Sequence, residues 1–87
     1  MHQYPFKNLL IKSGNEDFLV TGNAVFEVED FDDCKEASFV SVELLEAYDP
    51  ARREYVSSKE CLGYISESTL EHLNQDNRLC RLLGYKV

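Results

Sequence analysis

Phe18-Leu19-Val20-Thr21-Gly22-Asn23-Ala24-Val25-Phe26-Glu27-Val28-Glu29-Asp30 is the stretch on which the fold turns. It is rich in Phe and Val, side chains that suit a pleated, half-buried surface. Past Gly22 it alternates. Phe26, Val28 and Asp30 fall on one face, and Val25, Glu27 and Glu29 on the other. That period of two belongs to a strand. Val20-Thr21-Gly22-Asn23 interrupts the pattern with a turn or bulge, the usual meaning of an isolated glycine in a strand.

Upstream, residues 8–12 hold the short apolar run Leu9, Leu10 and Ile11, which ends in Ser13-Gly14-Asn15-Glu16-Asp17. Those residues tolerate left-handed backbone or cap turns, so the cluster reads as a hairpin loop. Downstream, residues 39–48 alternate again. Val40, Val42 and Leu44 share one face, with Phe39, Ser41, Glu43 and Leu45 on the other. The first set is expected in the core. Residues 48–55 then read as a second hairpin, because Asp49 can bond the backbone two residues on and Pro50 presets a type I turn. Tyr48 and Tyr55 would face each other across it. Residues 55–62 would be the returning strand, ended by Gly63.

One helix is signalled. Ser66 is a good N-cap with Glu67 in the first turn, and Ile65 and Leu70 stand at the two positions of a hydrophobic staple. Ser68 with Glu71 offers a competing capping box. Asn74-Gln75-Asp76-Asn77 is a poor helix interior and should end it. Residues 78–83 fit a helical turn or a strand equally well. The pattern predicts an α+β fold: an antiparallel meander sheet of four to five strands, with one C-terminal helix packed on one face. A single domain over residues 1–87 is expected, since no repeat or linker-like tract divides the chain.

The chain of 87 residues has 9 Lys+Arg against 16 Asp+Glu, a formal net charge of −7, and is 44% hydrophobic. That apolar share is ordinary for a globular protein. No run approaches the ~18 apolar residues of a membrane-spanning helix, and residues 1–20 lack the pattern of a secretory signal. Cys34, Cys61 and Cys80 are odd in number and form no C-x-x-C pair, which suggests free thiols in a reducing, cytoplasmic setting.

The negative charge is concentrated. Residues 18–50 carry nine acids (Glu27, Glu29, Asp30, Asp32, Asp33, Glu36, Glu43, Glu46, Asp49) against Lys35 alone. The dense segment 27–36 admits three readings. It is a solvated, self-repelling loop, a surface offered to a basic partner, or a cation site. The last is weak, because Asp30, Asp32 and Asp33 have neither the glycine nor the spacing of a calcium loop. The candidate partner-binding residues are Glu27, Glu29, Asp30, Phe31, Asp32, Asp33 and Glu36, with Phe31 as an aromatic anchor.

No catalytic residue, metal site or cofactor is expected. His2 and His72 stand in no ligand spacing, and neither Cys61 nor Cys80 forms a nucleophile signature with His72. No phosphate-cradling glycine motif occurs. Arg52, Arg53 and Lys59 make a small basic spot, far too little to bind duplex nucleic acid against this net charge. The expected function is therefore that of a non-enzymatic acidic binding protein, with no direct contact to nucleic acid or membrane. Its partner would be a basic protein surface such as a nucleic-acid-binding protein carries, and its physical type that of anti-defence or immunity inhibitors, whose carboxylates imitate phosphates. The alternative is a small cytosolic subunit or homodimer whose acids serve solubility.

Overall fold

Gly14 and Asn15 make the first reversal. Gly14 takes φ 63, in the left-handed region that a two-residue hairpin turn demands. It joins β1 (His2–Ser13) to β2 (Glu16–Phe31). Then follow β3 (Cys34–Asp49), a two-residue β4 (Glu54–Tyr55) and α1 (Lys59–Gln75). This computed structural model describes residues 1–32, 34–76 and 79, without the side chains of Phe31 and Cys34. The strands form one curled sheet in the order β1-β2-β3-β4, with each neighbouring pair antiparallel. The fold is α+β, as the alternation predicts, with the helix packed on one face of the sheet.

β2 keeps one phase throughout: Phe18, Val20, Gly22, Ala24 and Phe26 all point inward and are buried. Its neighbours do not. In β1 the register slips between Phe6 and Leu9, so Lys7 and Asn8 together face Thr21, and Asn8 takes φ 53. Its amide donates to Thr21 Oγ1 at 3.1 Å. In β3 the pairing jumps from Val25–Ser41 to Phe26–Phe39, and from Thr21–Glu46 to Gly22–Leu44. Val40 and Leu45 are thus the extra residues of two bulges.

Each bulge flips the inward phase. The inner residues of β3 are Ala37 and Phe39, then Val42 and Leu44, then Ala47 and Asp49. The expected pairing of Val40 with Val42 and Leu44 is corrected accordingly. Val42 and Leu44 do lie against the core, but Val40 is exposed and Phe39 takes the inner place at 3% exposure. A strict alternation cannot cross a residue that has no partner of its own.

The second hairpin forms as its chemistry requires. Asp49, buried, accepts the amides of Ala51 at 3.0 Å and Arg52 at 3.3 Å, and the Tyr48 and Tyr55 rings lie 5.1 Å apart. The returning strand is cut short, however. After one further bond, from Val56 N–H to the Ala47 carbonyl, residues 57–62 leave the sheet and enter the helix. Its cap is Ser58, about two turns before Ser66. Ser58 has extended backbone, its Oγ accepts the Cys61 amide at 3.4 Å, and Glu60 stands in the first turn. The strand expected over residues 55–62 and the cap expected at Ser66 are both corrected. Leu62, Ile65, Thr69 and Leu73 recur at helical spacing and bury one stripe, a pattern that outweighs the short β-like run.

The buried polar groups on this stripe have partners. Thr69 Oγ1 donates to the Ile65 carbonyl at 2.8 Å, and the Ser68 and Ser13 hydroxyls meet at 2.9 Å, tying α1 to β1. Near the end of α1, Asn74 reaches the edge of β3. Its Oδ1 accepts the Phe39 amide at 2.8 Å and its Nδ2 donates to the Phe39 carbonyl at 2.9 Å. The side chain thereby takes the place of a neighbouring strand. The helix stops at Gln75, as its polar run suggests, with the Asp76 amide donating to the His72 carbonyl. Of residues 78–83, only Leu79 falls among the described residues; it packs against the core, and Asp76 Oδ1 accepts its amide.

Gly63 sits on the exposed side of α1, and a Cβ there would meet nothing within 4 Å. Glycine in a helix interior costs about 1 kcal/mol relative to alanine. Gly63→Ala should therefore raise the melting temperature by about 4–8 °C, as read by thermal circular dichroism. A fall would mean that the helix does not run through residue 63.

Candidate functional site

The acidic segment is the far end of the β2–β3 hairpin, and most of it is strand. β2 runs to Phe31, Asp32 is a turn residue and β3 begins at Cys34. The loop reading of residues 27–36 is thereby narrowed to that turn. Alternation directs Glu27 and Glu29 to the face turned away from the helix, and both are exposed. Glu36 stands directly across from Glu29. Like charges in that position repel, so the pair is unfavourable to the sheet itself. Asp30 and Lys35 face each other, with Nζ 3.9 Å from Oδ1, a long and exposed contact of little strength. Asp32 is exposed in the turn. Phe31 pairs with Cys34 in the ladder, while its expected role as an anchor concerns a side chain outside the described set, as does Asp33.

Two further glutamates belong to this face. Glu43 lies across from Asn23 and Glu46 across from Thr21, both exposed and both turned outward. Sequence alternation puts Glu43 on the face opposite Glu36 and Glu46, since 43 is odd and the others even. The bulge at Val40 reverses the phase between Glu36 and Glu43, and that at Leu45 reverses it again before Glu46. All three thus join Glu27 and Glu29. The outward positions of β2 and β3 carry these five glutamates and no Lys or Arg. Among the described residues none of the five enters an ion pair. Strand geometry sets Glu27 and Glu29 about 7 Å apart, and the stretch from Thr21 to Glu29 spans roughly 26 Å.

An open groove of about 580 Å³ lies elsewhere, between the start of α1, β4 and the β1–β2 turn. Arg52 lines it and is engaged within the chain: Nη2 lies 3.2 Å from Glu16 Oε1 and Nε 3.7 Å from Asp49 Oδ2. Cys61 is an exposed free thiol in the first turn of α1. His72 is eleven residues further along the same helix, about 16 Å by the helical rise, so these two do not form a nucleophile pair. His2 instead stacks on Phe26, with ring centroids 5.5 Å apart. Among the described residues no three His, Cys, Asp or Glu side chains gather in a way that would hold a metal ion. No described helix is long and apolar enough to cross a membrane. Comparison with protein-family models, curated proteins and solved structures finds no match to this chain.

Proposed function

We propose that this protein is a non-enzymatic binding protein that meets a basic protein surface with the outer face of its β2–β3 hairpin. The observation that carries the reading is the set of five outward glutamates, Glu27, Glu29, Glu36, Glu43 and Glu46, with no cation on the same face of either strand. The fold gains nothing from that arrangement, and Glu29 opposite Glu36 works against it. A partner bearing Lys and Arg would be steered to such a face and wrong partners repelled. A row of carboxylates on a regular backbone resembles the phosphates that a nucleic-acid-binding protein grips. The favoured partner is therefore of that class, and the favoured role is inhibition by occupying its nucleic-acid site.

The alternative of a subunit that assembles by strand pairing is weakened by the sheet edges. β1 carries Pro5 and a left-handed bulge residue, Asn8. β3 carries two bulges, and Asn74 takes the Phe39 groups. Such features blunt an edge against pairing.

The test replaces Glu27, Glu29, Glu43 and Glu46 by Gln. The melting temperature should hold or rise, because exposed carboxylates contribute little and mutual repulsion falls. Association with a nucleic-acid-binding partner, followed by surface plasmon resonance, should slow at least tenfold, and wild-type binding should weaken steeply as salt rises. Equal on-rates for the two proteins would refute the reading. Asp30 and Asp32 replaced by Asn should have a smaller effect, because they lie at the hairpin end beyond the ladder of outward glutamates.

A further inference from the structure

Leu10, Leu19, Tyr48 and Tyr55 are successive partners across all four strands, in the pairs Leu10–Leu19, Leu19–Tyr48 and Tyr48–Tyr55. All four turn away from the helix, as their neighbours Ile11, Phe18, Val20, Ala47 and Asp49 turn toward it. The row carries no charged side chain, and its two ends stay wet: Leu10 is 57% and Tyr55 64% exposed, with Leu19 and Tyr48 half-buried between them. Leu45, pushed out by its bulge, adds a further side chain at 72% exposure. One such residue on a surface means nothing, but a continuous row of them is characteristic of an interaction site.

The row and the glutamates share one face. Glu46 is the next outward residue before Tyr48 on β3, and Glu43 follows, with Glu27, Glu29 and Glu36 toward the hairpin end. From Leu19 to Glu29 the strand covers roughly 33 Å. On β1, Lys12 stands opposite Asp17, and Lys7, exposed in the bulge opposite Thr21, is a second cation at the margin of the face, with no cation on the outward positions of β2 or β3. The face therefore has a direction, apolar at the turn end and anionic toward the hairpin end. A second copy would cover the row but bring like net charge with it, and would leave the five carboxylates without counter-charge.

We propose that this face docks a basic polypeptide segment of a partner protein, with an aliphatic or aromatic end seated on the Leu10–Leu19–Tyr48–Tyr55 row and Lys or Arg side chains running along the glutamates. The proposal rests on the acidic-face reading above and adds to it the anchor, the direction and the chemistry of the partner. Apolar anchors in a desolvated patch hold a complex together, whereas the surrounding charges govern its approach. The row supplies the first and the glutamates the second.

The test uses fluorescein-labelled peptides and the full chain, with binding read by anisotropy. The probes are a twelve-residue Arg-Gly repeat, the same repeat with a Phe-Leu-Phe end, and a Glu-Gly repeat with that end. The anchored Arg-Gly peptide should bind at least tenfold tighter than the plain repeat. That excess should vanish in the Leu10→Ser/Tyr55→Ser variant, while the weak, salt-sensitive binding of the plain repeat persists. Thermal melting of the variant confirms that it is folded, and Leu45→Ser alone should lose part of the excess if the double variant fails to fold. The proposal is overturned if the anchored and plain repeats bind alike, if the excess survives in the variant, or if the Glu-Gly peptide binds as well as the Arg-Gly one. It is also overturned if the chain forms a dimer that the same variant dissolves. Binding of the plain repeat without any gain from the apolar end would sink the docking row and leave the acidic-face reading standing. Failure of both Arg-Gly peptides would sink both.

Discussion

Gly22→Ala should destabilise the protein by roughly 3 kcal/mol, the upper range for forcing added atoms into a packed site. Set against a total of about 5–15 kcal/mol for a domain, that is a large fraction. A Cβ on Gly22 would meet the Glu43 carbonyl oxygen well inside contact distance, and Leu44 Cα at 3.0 Å. Both obstacles are backbone, which cannot swing aside as a side chain can. The approach is close because β1 and β3 both bulge beside this point, at Lys7–Asn8 and at Leu45. Urea titration should show a lower midpoint with an unchanged slope. Stability within about 1 kcal/mol of wild type would mean that the strands do not approach as described. Gly63→Ala makes a useful contrast, since the same change at an open position should stabilise.

Phe39→Ala should cost about 3–5 kcal/mol, while Val40→Ala next to it should stay within about 0.5 kcal/mol. Phe39 is buried among Phe26, with ring centroids 5.5 Å apart, and Tyr4, at 5.9 Å edge-on. Val40 is 47% exposed on the bulge. Simple alternation along residues 39–48 predicts the reverse ranking. Denaturant midpoints of the two variants would discriminate, and equal losses would place the bulge elsewhere. Asn74 bears on the same point, because its amide holds both backbone groups of Phe39. Removing it strands a donor and an acceptor at the bulge.

What could be read without tertiary information was what short-range chemistry dictates. The reversal within residues 13–17, the Asp49–Pro50 turn with its tyrosine pair, the alternation of β2 past Gly22 and the stop of the helix near Asn74 all depend on neighbouring residues. Those local signals suffice for an antiparallel α+β meander. They failed at the helix start, where residues 55–62 look like a strand in isolation. Only the wider stripe of Leu62, Ile65, Thr69 and Leu73, packed on β1 and β3, selects the helix and its cap at Ser58.

The sequence by itself determined the number of acids, their concentration in the middle third, and the residue types able to turn, pair or cap. Tertiary structure alone decided which way the later side chains of β3 face. A bulge arises from the mismatch between two paired strands, and nothing within one strand announces it. Each extra residue, Val40 and then Leu45, exchanges the two faces of everything that follows. Through those two exchanges Phe39, Val42, Leu44 and Ala47 all reach the core. By the same exchanges Glu36, Glu43 and Glu46 come to one outer face beside Glu27 and Glu29.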